Sequence, residues 1–210
     1  MDLWTILNSN LVILLVGFLL TTIAGGLISS WIQRSSWERQ TRVDLYRKRY
    51  EEGSQFLNEL SKLIGTRCFQ MQRYLWAIED LPEERLSGIE KEYFKTVAEW
   101  NATYWMNRNK TRLFVGEAQA NLFLDYTDDR RIEDPVSIHY RFVKAHQNVI
   151  GVKNKSVTAK DAQRAINQLN IACSNFLEVL TTSFLERAAS LQLLSIPQLS
   201  KGPESKRGKT

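Results

Sequence analysis

From Leu11 to Gln33 the chain carries no charged residue, and that run constrains everything else. Its apolar part, Leu11 to Ile32, has 22 residues. At about 1.5 Å per residue a helix of that length reaches about 33 Å, against a bilayer hydrocarbon core of about 30 Å. Trp4 precedes the run and Trp31 closes it, positions that suit indoles anchored in the two interfacial layers. Six basic residues follow at once: Arg34, Arg39, Arg42, Arg47, Lys48 and Arg49, opposed only by Glu38 and Asp44. The sequence therefore predicts one transmembrane helix over 11–33. Basic residues favour the cytoplasmic side of a span, so residues 1–10 are expected outside and the remainder in the cytoplasm, on the cell (inner) membrane. Arg34, Arg39 and Arg42 come first after the span, where they meet anionic lipid headgroups. A cleaved secretory signal is the rival, with Thr22-Ile23-Ala24 as its cleavage site. Against it stand a run longer than a signal core and an N-terminal side without Lys or Arg.

The net charge of +5 is not spread evenly. Residues 34–49 hold a local +4 and residues 201–209 a local +3, which leaves the body close to neutral. Broad nucleic-acid binding through an electrostatic face is therefore not expected. Two cysteines, Cys68 and Cys173, are too few for a disulfide framework and sit in apolar-periodic segments, so both are expected as reduced thiols.

Within the span, Gly17, Thr21, Gly25 and Ser29 recur every fourth residue. Small residues in that register form one stripe and let two helix backbones approach closely, where lipid tails compete with any apolar side chain. The expectation is a homo-oligomer paired through this stripe; composition common to membrane helices explains the same residues without pairing.

Beyond the span the apolar spacing is helical throughout. Tyr46, Tyr50, Gly53, Leu57, Leu60, Ile64, Cys68, Met71, Leu75 and Ile78 advance by three or four, marking a long helix that ends before Leu81-Pro82. Ser87 with Glu90 reads as a capping box that opens a second helix through Ile89, Tyr93, Val97, Trp100 and Tyr104. Gly116 divides it from 118–126. Asp134-Pro135 reads as the start of a helix to about Ile150, ending near Gly151. Thr158 with Asp161 opens the last helix, with the stripe Ala162, Ile166, Leu169, Cys173, Phe176, Leu180, Phe184 and Leu191; Pro197 stops it. The fold class is all-α: one N-terminal transmembrane helix, a bundle of four or five helices over 34–196, and a disordered basic tail over 197–210.

Chemistry-bearing motifs are sparse. No glycine-rich phosphate loop, CxxC pair, Glu-x-x-His pair or Gly-x-Ser-x-Gly elbow occurs, so no cofactor and no metal is expected. Arg141-Phe-Val-Lys-Ala-His146 is the exception. This Arg-x4-His resembles the motif of HEPN-type ribonucleases, small all-helical domains that include membrane-anchored HEPN-like accessory proteins of type VI CRISPR defence. The resemblance implies that Arg141 stabilises phosphate charge and that His146 moves a proton at an RNA 2′-hydroxyl. On a helix, however, five residues turn by about 140°, which points the two side chains apart. His139, Val143, His146 and Ile150 share a face, which places both histidines at the edge of a core instead. Tyr93, Trp100, Tyr104 and Trp105 can stack nucleobases, yet their helical spacing in a near-neutral body fits a core.

These features lead to a membrane-anchored helical interaction module (a scaffold, a sensor or a pore-forming defence effector). Its expected partners are the lipid membrane, further copies of itself and an unidentified protein. The alternative is a membrane-tethered ribonuclease using Arg141 and His146, with RNA as substrate.

Overall fold

A computed structural model describes residues 10–124 and 137–195, with side chains over 14–124 and 137–190. All its regular structure is helical: α1 Asn10–Asp80, α2 Glu83–Phe114, α3 Glu117–Phe123, α4 Ile138–Lys153 and α5 Ala159–Ser195. The chain divides into two units, Met1–Arg49 and Tyr50–Thr210.

In the first unit, every described side chain from Leu14 to Leu45 is exposed. Leu14, Phe18, Leu27 and Trp31 are each about 70% accessible (73%, 68%, 68% and 72%). The helix is long and apolar enough to cross a membrane. Residues 34–49 continue the same exposed unit.

The second unit is built on interleaved apolar stripes. The segment of α1 beyond Tyr50 buries Phe56, Leu57, Leu60, Ile64, Met71, Tyr74 and Leu75, and α5 buries Ala162, Ile166, Leu169, Cys173, Phe176, Leu180 and Phe184. Directions follow from the contacts. Tyr74 stacks on Tyr93 and Phe56 meets Phe114, so α1 and α2 run antiparallel. Gln72 exchanges hydrogen bonds with Gln163 while Tyr50 stacks on Phe184, so α1 and α5 do likewise. The short α3 is held by Phe123, packed on both Trp100 and Phe176, and by Gln119 Nε2 donating to Ser183 Oγ at 2.9 Å.

The helix boundaries refine the sequence reading in two places. Ser87 does not cap α2: the helix starts one turn earlier at Glu83, behind Pro82 (φ −65°), and Ser87 Oγ instead donates to the Glu84 carbonyl. Proline supplies the helical φ, Glu83 and Glu84 favour the positive end of the helix dipole, and Leu86 is thereby buried. Glu90, the other half of that box, accepts from Tyr74 Oη and from Lys153 Nζ. Gly151, in turn, is not a terminator. It lies inside α4, where an added Cβ would sit 2.5 Å from Val157 Cγ2; the chain reverses later, at Lys155 (φ 60°). Gly116 does break α2 from α3, at φ 154° and ψ 170°, a backbone region open to glycine alone. Thr158 caps α5: the Asp161 N–H donates to Thr158 Oγ1 (3.2 Å), and that hydroxyl in turn donates to Asp161 Oδ2 (2.7 Å), which holds it in place. The Asp134-Pro135 start, Tyr126, Leu191 and Pro197 lie outside the residues or side chains described.

Candidate functional site

Three sets of residues qualify, and the first is the stripe in the apolar run. Gly17 and Gly25 have nothing within 4 Å of where a Cβ would stand. The hydroxyls beside them are already satisfied inside the helix: Thr21 Oγ1 donates to the Gly17 carbonyl at 2.8 Å and Thr22 Oγ1 to the Phe18 carbonyl at 2.8 Å. Such back-bonding lets polar side chains enter hydrocarbon without a partner's help. Ser29 accepts a long hydrogen bond from Gln33 Nε2. Trp31 is exposed, as are Arg34, Arg39 and Arg42. Arg34 pairs with Glu38 at 3.3 Å, but both are open to water and the pair adds little. Trp4 lies outside the described residues.

The second set is Arg141 and His146. α4 turns them apart, as five residues of helix require. Arg141 borders a groove between α4 and α5. His146 faces α2: its Nδ1 is hydrogen-bonded to the Tyr93 hydroxyl, and its ring lies against Tyr93 and Phe94. His139 is used in the same way, accepting at Nδ1 from Trp100 Nε1 at 3.1 Å. Neither histidine is fully buried; the buried stripe of α4 is Ile138, Phe142, Ala145 and Val149. The structure thus joins each histidine to an aromatic of α2 and does not bring His146 to Arg141. Burial, with Arg67 nearby, lowers the His146 pKa, which favours the neutral imidazole. Of the aromatic set in α2, Tyr93 and Trp100 are wholly buried, Tyr104 packs against the core, and Trp105 is partly exposed.

The third set centres on Arg67, which sequence reasoning passed over. Only 2% of it is accessible. Its guanidinium lies 4.8 Å from the Trp100 ring centroid and 4.5 Å from that of Phe142, and neither Nε nor Nη1 has a hydrogen-bond partner. Burial lowers its pKa to about 10, so it remains a cation at neutral pH, compensated chiefly by two aromatic faces. Helical phase carried the signal: Arg67 falls three residues after Ile64 and four before Met71, inside the buried stripe. Beside it, a hydrogen bond with Cys68 and burial push the Cys173 thiol up, which leaves that thiol unreactive. Both cysteines are free thiols. Among the described residues no group of three or more His, Cys, Asp or Glu side chains is placed to hold a metal ion.

The groove that Arg141 borders has a volume of about 800 Å³ and also takes in Lys144, with apolar walls supplied largely by α5. Among the described residues no carboxylate lines it.

No family model, no curated protein and no solved structure matches this chain.

Proposed function

We propose that this chain is a single-pass, membrane-anchored interaction module that self-associates through its membrane helix and presents its helical bundle to the cytoplasm. The observation that carries this reading is the fully exposed apolar run of α1, set beside a second unit that buries its own apolar stripes. Side chains such as Leu14, Phe18, Leu27 and Ile28 gain nothing from this chain's own core, and a bilayer is the solvent in which they are stable. The six basic residues after Trp31 set the orientation. The open space beside Gly17 and Gly25 is room for a second backbone.

Two measurements test it. A reporter enzyme active only in the cytoplasm, fused after Thr210, is expected to be active; activity only from a reporter that requires export overturns the orientation. Gly25→Leu inserts a bulky side chain where a partner backbone would pass. Crosslinking in the membrane is expected to show weakened self-association with insertion unchanged, whereas Leu19→Ile, off the stripe, leaves assembly as in the parent. If Gly25→Leu crosslinks as fully as the parent, the stripe does not pair.

A further inference from the structure

We propose that Cys68 and Cys173 form a redox latch: oxidation by hydrogen peroxide joins them in a disulfide that fastens α1 to α5 inside the bundle. They are the chain's two cysteines, and both are free thiols. Cys68 stands in the α1 stripe of Ile64, Met71 and Leu75, and Cys173 in the α5 stripe of Leu169, Phe176 and Leu180. Both therefore lie on faces that build the core, and the latch does not rest on membrane pairing. Register brings them together. Gln72 pairs with Gln163 and Tyr50 stacks on Phe184, which sets Cys68 opposite Asn167 or its neighbour on the antiparallel α5. Cys173 lies C-terminal of that point. Helical side chains lean toward the N-terminus of their own helix, so on antiparallel helices these two lean toward each other. The two thiols meet in a hydrogen bond.

Their surroundings divide the roles. Cys68 is half-buried, within reach of a small oxidant, while Cys173 is only 4% accessible. The hydrogen bond from Cys173, with the Arg67 cation close by, holds the Cys68 thiol below its usual pKa. The same hydrogen bond and burial keep Cys173 protonated. The Cys68 thiolate attacks one peroxide oxygen: an S–O bond forms, the O–O bond breaks, and the sulfur gives two electrons to the peroxide. The other oxygen leaves as hydroxide and takes up a proton to become water. Cys173 is unreactive alone, but its partner sulfur is now the electrophile. The Cys173 sulfur attacks the Cys68 sulfenic acid; the S–S bond forms, the S–O bond breaks, and the departing hydroxyl takes the Cys173 proton as water. Arg141, whose charge also acts on Cys173, eases loss of that proton. One peroxide and two thiols thus give one disulfide and two waters. While the bond holds, α1 and α5 cannot part, so any rearrangement that separates them waits on reduction. In a reducing compartment such a bond is transient, which suits a sensor rather than a permanent staple.

The test uses the full chain in nanodiscs, reduced and then exposed to hydrogen peroxide. Mass spectrometry without reductant is expected to find a peptide containing Cys68 joined to one containing Cys173, with the intact mass lighter by two hydrogens. By circular dichroism the oxidised bundle is expected to melt about 10 °C higher, and dithiothreitol should return it to the starting value. Cys173→Ser is expected to trap Cys68 as a sulfenic acid that dimedone labels, while Cys68→Ser leaves Cys173 unlabelled. Neither variant gains stability from peroxide. The parent's own readouts stand even if a serine variant fails to fold. Absence of the linked peptide, a disulfide between copies of the chain in its place, or an unchanged melting temperature overturns the latch. Dimedone labelling of Cys173 in Cys68→Ser overturns it too, because Cys68 would then not be the attacking sulfur.

Discussion

Close contact at Gly53 and Gly151 sets the second unit of this protein apart from the first, although Gly65 and Gly88 of the second unit meet nothing within 4 Å. In the second unit, a Cβ added to Gly53 would stand 2.5 Å from Phe184 Cε2 and 3.3 Å from Phe114 Cδ1, so the absent side chain is explained within the chain. In the first unit Gly17, Gly25 and Gly26 meet nothing within 4 Å. The same contrast holds for large side chains: Leu60, Ile64 and Leu75 are at most 2% accessible, while Leu14, Leu20 and Leu27 exceed 60%. The second unit packs a set of its apolar residues on one another, while those described from Leu14 to Leu45 in the first are all open to whatever surrounds them; the bundle's stability is therefore expected to change without affecting the apolar run, and the reverse.

The largest expected break in that comparison is Trp100→Ala. Trp100 is wholly buried, packs on Phe142 at 4.6 Å and Phe123 at 5.4 Å, faces Arg67, and donates to His139. Removing it leaves a cavity, strips a cation of one aromatic face and orphans an acceptor, for a cost of about 3–5 kcal/mol. Circular dichroism of the full chain should show a strongly lowered bundle melting temperature, with resistance to alkaline extraction from membranes unchanged. A variant that leaves the membrane fraction would show that the units are not independent.

A smaller effect sharpens the comparison directly. Gly53→Leu forces carbon into Phe184, which is itself held by stacking on Tyr50 at 5.3 Å. Overpacking of this kind costs about 1–3 kcal/mol, and the better helix propensity of leucine returns up to about 1 kcal/mol. A net loss of about 1–2 kcal/mol is expected in bundle stability. The same replacement at Gly17 should leave bundle melting within about 0.5 kcal/mol of the parent. Equal losses at both sites would remove the distinction.

Much of this was legible in the residues because it depends on period. The stripe Ala162 to Phe184 is buried as its spacing requires, and Thr158 with Asp161 caps as read; of the run Tyr46 to Ile78, Leu57, Leu60, Ile64, Met71 and Leu75 are buried, Tyr46, Cys68 and Ile78 are half-buried and Tyr50 is exposed. What period cannot supply is which of two adequate starts a helix takes. Ser87 and Glu90 have the residues of a capping box, yet Pro82 and the burial of Leu86 draw the start back to Glu83. Nor does spacing say what a polar group meets. Arg141-x4-His146 is visible as a string, but only the packing of α4 on α2 commits His146 to Tyr93. Arg67 was hidden for the opposite reason: an arginine on a buried face looks like an interruption of the stripe until Trp100 and Phe142 are seen to close over it.

The smallest effect concerns that histidine and separates a structural imidazole from a catalytic one. His146 accepts from or donates to Tyr93 in a half-buried position, beside Phe94 and within reach of the Arg67 charge. Burial and the cation both oppose a second proton, so its folded pKa lies below the unfolded value of 6.5. The unfolded chain then binds more protons than the folded one as pH falls below 6.5, and stability must decline over that window as pH drops through the folded pKa. Glu90, whose carboxyl is held down by Lys153 and Tyr74, adds a loss only further into acid, below its unfolded value of 4.5. His146→Gln keeps an acceptor for the Tyr93 hydroxyl and removes the titration. Between pH 7.5 and 5.5 the bundle melting temperature of the parent should fall, and that of His146→Gln should fall less, with the two nearest each other at the acid end. Curves that stay parallel across the window would mean that His146 folds with no penalty on its charge, and the hydrogen bond to Tyr93 would then not be what holds it in place.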